Sequence, residues 1–137
     1  VKISRKLEYA CRVLAQLGRH QGVGSLVHID LLAQAESIPS NYLVQILNEL
    51  RTSGLISSKR GKQGGYALAK SPEQITLFAI VEAVDAELLK ASYDSVGESG
   101  AKVSEVWDGV RVKLVDYLSD ITLESIIEKN DSKMYYI

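Results

Sequence analysis

Two short sets of side chains in this chain have the chemistry to read and hold a polyanion. The first is Asn41, Tyr42, Gln45, Asn48 and Thr52, uncharged groups that hydrogen-bond and that recur at helical spacing. A side-chain amide can pair in bidentate fashion with an adenine edge in a major groove. The second set is Lys59-Arg60-Gly61-Lys62-Gln63-Gly64-Gly65, three cations among three glycines. Glycines allow a tight or left-handed turn, and the cations suit phosphate. With Ser40 ahead of the first set and Lys2 near the start of the chain, these residues, Thr52 and Gly65 excepted, are the candidate contacts to double-stranded DNA.

The elements that must position them can be read from the intervening residues. Leu43, Ile46, Leu47 and Leu50 fall at i, i+3, i+4 and i+7, so the face opposite the amides is committed to a core. Pro39 suits the first turn of that helix and Gly54 stops it. The apolar runs Leu55-Ile56 and Tyr66-Ala67-Leu68 flank the basic turn as two short strands. A helix followed by a basic two-stranded ribbon is a winged helix. Each feature alone is ordinary, since surface helices have polar outer faces and basic hairpins occur in proteins that never touch DNA. Their order and spacing carry the inference.

Upstream, Ser4 is a good N-cap for a first helix with Leu7, Ala10, Cys11, Leu14 and Leu17 on one face, ending before Gly18 or Gly22. Lys2, Arg5 and Lys6 crowd its start, where cations oppose the helix dipole. An external phosphate would compensate them; a solvated terminus is the alternative. Residues 27–35 read as a short strand turning into a second helix, with Ile29, Leu32 and Ala33 inward. After the wing, Thr76 caps a helix stapled by Ile75 and Ile80, and Ile121, Thr122 and Ile126 repeat the device.

Residues 87–102, rich in Ser, Gly and Ala, read as a loop. Beyond it, Val103, Val106, Trp107, Val110, Leu114, Tyr117 and Leu118 follow steps of one to four residues along a single helix. A helix of about 19 residues is roughly 28 Å long, more than a winged-helix core can cover. The excess apolar face is expected to meet a second subunit, with packing inside one chain as the alternative.

Charge is divided along the chain. The net is −1, yet ten cations and only four acids lie in the first 70 residues, so a basic half precedes an acidic one. His20 and His28 are isolated near turns, without the spacing of a metal site. No nucleophile elbow or phosphate loop appears, and no enzyme is expected. The N-terminus lacks a secretory apolar region and no apolar run approaches the roughly 18 residues of a membrane span, which points to the cytoplasm and to no membrane partner.

The run YLVQILNELRTSGLISSKRGKQGGYALAK resembles the signature of the Rrf-two-type (IscR/CymR-like) winged-helix regulators, and KISRKLEYACRVLAQLG, ITLFAIVEAVDAEL and ITLESI extend the likeness over nearly the whole chain. The resemblance implies a homodimeric DNA-binding regulator with a long dimerisation helix, often governed by an iron–sulfur cluster or an effector. Cluster-binding members carry three cysteines at or just beyond residues 87–102. This chain has one, Cys11, on an apolar helix face, so neither a cluster held in that manner nor any other cofactor is expected. The resemblance also gives meaning to the tail, which ends Met-Tyr-Tyr-Ile: Tyr136 and Ile137 would be captured by a cysteine-synthesis enzyme. Packing of the tail on its own subunit or across the dimer is the other reading.

The expected protein is therefore mainly α with a small two- to three-stranded β wing: a winged helix-turn-helix over 1–86, a loop without cysteines over 87–102, and a dimerisation helix with tail over 103–137. Its expected function is sequence-specific transcription regulation as a homodimer, repressing rather than activating. The alternative is a winged-helix module that binds protein.

Overall fold

The computed structural model describes residues 2–20, 26–90 and 95–132, with 128–132 as backbone only. The chain runs α1 (Arg5–Arg19), α2 (Ile29–Glu36), α3 (Ser40–Thr52), β1 (Ile56–Lys59), β2 (Gly65–Leu68), α4 (Leu77–Val84), α5 (Gly100–Asp120) and α6 (Leu123–Ser132), with single 3-10 turns at Pro72–Gln74 and Ala86–Leu89.

Helix α1 begins where its sequence offers a cap: the Leu7 N–H donates to Ser4 Oγ at 3.1 Å. It packs against α2, α3, α4 and α6, burying Leu7, Ala10, Val13, Leu14, Ala15 and Leu17, while Cys11 is only partly covered. Of the two ends the sequence offers, before Gly18 or before Gly22, the helix takes the later, running through Gly18 to Arg19. Ile127 of α6 sits where a Cβ at Gly18 would be, so this glycine is a close-packing position rather than a stop.

His28 caps α2, its Nδ1 accepting the Asp30 N–H at 3.2 Å. The helix closes at Ser37, a non-glycine residue in the left-handed region (φ 56°, ψ 48°), and Ile38 plugs the core at the turn. Pro39 stands just outside α3 as its N-cap, one place before the expected first turn, and its carbonyl accepts from Tyr42 and Leu43. Leu43, Ile46, Leu47 and Leu50 are all at 0% exposure. Each such side chain is worth about 1.5–3 kcal/mol when removed from water, so the inner face fixes α3 and frees its outer face.

β1 and β2 pair antiparallel from Ile56↔Leu68 to Lys59↔Gly65. The strand expected in 27–35 shrinks to Val27, whose N–H and C=O both bond Tyr66 (2.9 and 2.8 Å). α2 starts at Ile29 and leaves no length for more; within it Leu32 is buried and Ile29 and Ala33 pack against the core.

Thr76 caps α4 by accepting the Ala79 N–H at 3.1 Å, and Ile75 and Ile80 are fully buried. α6 starts one residue after Thr122. The two Ile-Thr-Leu starts lie antiparallel: Leu77 N–H donates to Ile121 O and Leu123 N–H to Ile75 O, both at 2.8 Å. This exchange ties the end of α5 and the start of α6 to the winged-helix core. The loop expected over 87–102 is trimmed at both ends, by the Ala86–Leu89 turn and by α5 starting at Gly100. Residues 91–94 of that loop, and Tyr136 and Ile137 of the tail, lie outside the described residues. No helix among the described residues is long and apolar enough to cross a membrane.

Candidate nucleic-acid interface

On the outer face of α3, Ser40, Asn41, Gln45, Asn48 and Thr52 are exposed in a line along the helix. Val44, at 45% exposure, stands among them and offers methyl groups of the kind that contact thymine. Tyr42 is committed elsewhere. It is half-buried, with its ring edge-on to Tyr9 of α1 (centroids 5.5 Å apart, 80° between planes), and Arg12 lies over the Tyr9 ring at 5.2 Å. Tyr42 thus joins α3 to α1.

Eight cations of the first half divide into two groups. Lys6 bridges to Glu49 of α3 (Nζ to both carboxylate oxygens, 3.1 and 3.2 Å), so it needs no external phosphate and instead ties α1 to α3. Arg12 pairs with Glu8 and donates to the Glu36 carbonyl at 3.0 Å, while Arg19 reaches the Glu36 carboxylate at 4.0 Å. Burial raises the pKa of that carboxyl, against the opposing pull of Arg19 and Arg12. Lys59, Arg60 and Lys62, by contrast, are exposed on the hairpin and make no ion pair among the described residues, and the same holds for Lys2 and Arg5 at the start of α1.

The hairpin holds its cations out by a compact turn. Gly61 and Gly65 have φ of 108° and 151°. A Cβ on Gly65 would come within 2.6 Å of the Val27 carbonyl oxygen, so the Val27–Tyr66 bridge depends on glycine there. Gly64 is buried and gives its N–H to the Gly61 carbonyl at 3.0 Å, so its backbone serves the turn. Gly61, Lys62 and Gln63 form the exposed tip.

Between the second half of α3 and the base of the hairpin lies a polar cleft of about 410 Å³, lined by His28, Asn48, Arg51, Ser58, Lys59 and Arg60 among others. Arg51 donates to Asn48 Oδ1 at 3.3 Å across its mouth. Sequence reasoning did not single out Arg51, His28 or Ser58 as contacts. Arg51 had a signal in its position three residues after Asn48; His28 and Ser58 had none, because only the folded hairpin brings them to α3. Both histidines act at helix ends, His20 Nδ1 lying 2.9 Å from the Gln16 carbonyl.

On α5, Val103, Val106, Trp107, Val110 and Tyr117 are 50–68% exposed, Leu118 belongs to the chain's own core and Leu114 packs against it.

The family model for Rrf2, described as an iron-dependent transcriptional regulator, matches residues 3–129. MT1325 of Mycobacterium tuberculosis (strain CDC 1551 / Oshkosh) is 34% identical over 131 residues, covering 92% of this chain and 81% of its own. The structure of CymR, the global cysteine regulator of B. subtilis, superposes with a TM-score of 0.81 at 27% identity over 96% of this chain and 99% of its own. That of T. potens IscR gives 0.78 at 28% identity over 99% and 97%.

The iron in the family's description does not fit these residues. Cys11 is the one thiol of the chain; burial, with Glu8 adding, pushes it up to about 11, away from the thiolate a metal needs. No three His, Cys, Asp or Glu gather into a metal site among the described residues.

Proposed function

This chain belongs to the Rrf2 family and is a DNA-binding transcriptional regulator, and we propose that it acts as a homodimeric repressor on a pseudo-palindromic operator. The observation that carries the DNA reading is the division of cations. Those on α1 that touch α3 or α2 are spent inside the fold, whereas Lys59, Arg60 and Lys62 make no ion pair among the described residues and stand beside a row of exposed amides. Phosphate contacts from the wing would set the register, and Asn41, Gln45 and Asn48 would read base edges. In this division of labour residues 1–86 hold DNA, residues 103–137 hold the second subunit, and the loop between them transmits a signal. Two recognition helices about one helical turn of DNA apart need a dimer, and the exposed stripe of α5 is an apolar surface suited to form one. The chain acts in the cytoplasm, without catalysis and without a cluster.

CymR of B. subtilis is named for cysteine regulation. A cysteine-synthesis enzyme engaging Tyr136 and Ile137 would bring the same kind of control here, on the strength of the sequence of the tail.

Selection of bound sequences from random duplex DNA tests the reading: an enriched palindrome is expected, together with affinity that falls with salt at a slope near −0.9 per phosphate contacted. Absence of an enriched palindrome with flat salt dependence would favour the protein-binding module. Deleting the gene should raise expression from promoters that contain the selected site.

A further inference from the structure

A cavity of about 330 Å³ opens between α4, the Ala86–Leu89 turn and α5. Phe78 and Glu82, one turn apart on α4, face Arg111 and Val115, one turn apart on α5; Leu89 and Lys90 line it from the turn. Its volume is at the small end of ligand sites, which run from about 300 Å³.

The charges in this cavity are only partly matched. Arg111 has a long ion pair with Asp108, at 3.8 Å, and its Nε is shielded from solvent without a hydrogen-bond partner. Glu82 makes no ion pair among the described residues, and Lys90 is already paired with Glu87 at 2.9 Å. Glu82 and Arg111 line the same small cavity without forming an ion pair with each other, and apart from Lys90 the remaining lining residues are apolar. A buried donor left unsatisfied costs stability unless a ligand or water completes it.

We propose that this cavity binds a free α-amino acid with an apolar side chain. The ligand carboxylate would accept from the Arg111 guanidinium and the ammonium would donate to Glu82. The side chain would pack on Phe78, Leu89 and Val115. A molecule carrying one charge would answer either the Arg111 Nε donor or the Glu82 carboxylate, but not both.

The location connects such a ligand to the rest of the protein. Ala83, next to Glu82, lines a shallow pocket together with Asn48 and Thr52 of α3. Arg111 follows Trp107 by one turn on the helix that carries the exposed stripe. A ligand that draws α4 and α5 together would bind DNA-competent and DNA-incompetent arrangements with different affinity, which is the condition for regulation.

The test is calorimetric titration of the full chain with L-leucine and L-phenylalanine, alongside 4-methylpentanoate and 3-methylbutylamine as single-charge analogues of leucine. Saturable binding of one amino acid is expected, weakened about tenfold or more in Arg111→Gln and in Glu82→Gln and for each analogue, as loss of a charge-assisted hydrogen bond requires. No saturation up to about 10 mM, far above micromolar affinity, would overturn the proposal. So would equal binding by both variants, or by either analogue. Glu82 is exposed, so Glu82→Gln keeps the test open if Arg111→Gln folds poorly. These readouts contain no DNA, so their failure leaves the operator reading standing, and failure of operator binding leaves the cavity standing.

Discussion

On α3 the inward residues are sealed completely and those left outside are amides, hydroxyls, Arg51 and Val44; on α5 Leu118 alone is sealed, and those left outside include four valines, a tryptophan and a tyrosine. Both helices are amphipathic and both face solvent in a single chain. The difference is in what the exposed face would gain by being covered. Amides and cations lose water on contact and recover the loss only against hydrogen-bonding or anionic groups, which is the chemistry of a nucleic acid. Valine, tryptophan and tyrosine gain by losing water to any apolar surface of matching shape, which a second copy of the same helix supplies. The first region is complete in its core and open for a polar ligand. The second is incomplete as a core.

Introducing a charge is the most severe test of that contrast. Trp107→Asp, in the middle of the stripe, should weaken dimerisation by more than about 2 kcal/mol, the scale of an aromatic hot spot, and give a monomer in sedimentation velocity at micromolar concentration. Gln45→Asp, an equally abrupt change on the other face, should leave the dimer intact and abolish operator binding. Identical sedimentation of Trp107→Asp and wild type would break the comparison.

The second test asks whether the wing belongs to the finished region. Gly65→Ala meets both a positive φ and the Val27 carbonyl, and should cost about 1–3 kcal/mol in urea unfolding. Gly61→Ala has positive φ but open space around it, and should cost less. Equal losses would mean that the Val27–Tyr66 bridge is not what holds the hairpin.

Within the DNA face, reading and holding should separate. Gln45→Ala should lose about 1–3 kcal/mol against the preferred site and little against random duplex. Lys62→Ala should weaken both alike and flatten the salt slope by about 1. Fluorescence anisotropy at several salt concentrations distinguishes them, and an unchanged slope for Lys62→Ala would remove it from the phosphate contacts.

What was legible in the sequence is what short-range pattern determines. The inner face of α3, the caps at Ser4 and Thr76 and the hairpin between Ile56 and Leu68 all depend on residues within a turn or two of one another. What escaped depends on partners far along the chain. Gly18 lies inside α1 with Ile127 of another helix in the space a side chain would need, and Lys6 is neutralised by Glu49 on another helix. The repeated Ile-Thr-Leu device was visible twice, but nothing local says that the two copies bond each other. The cleft of His28, Arg51 and Lys59 has the same character: three elements meet there, and no spacing records it.

The smallest expected effect concerns Cys11, which tests whether the finished region is closed even at its partly covered edge. Burial lifts its thiol from the ordinary 9.0 to about 11, so the folded state holds the proton more tightly than the unfolded chain does. Below pH 9 the neutral thiol is present in both states and stability does not respond. As pH rises from 9 towards 11 the unfolded chain ionises first, and the fold should lose about 1 kcal/mol by pH 10. Cys11→Ala lacks this titration, so the difference in urea midpoint between the two proteins should shift in favour of the variant over that window alone. At about pH 8 the thiol should also resist iodoacetamide until urea opens the fold, since the thiolate is the reactive form. Rapid labelling of the native protein, or a stability difference flat from pH 8 to 11, would show that this edge of α1 opens to solvent and that the closed core ends short of Cys11.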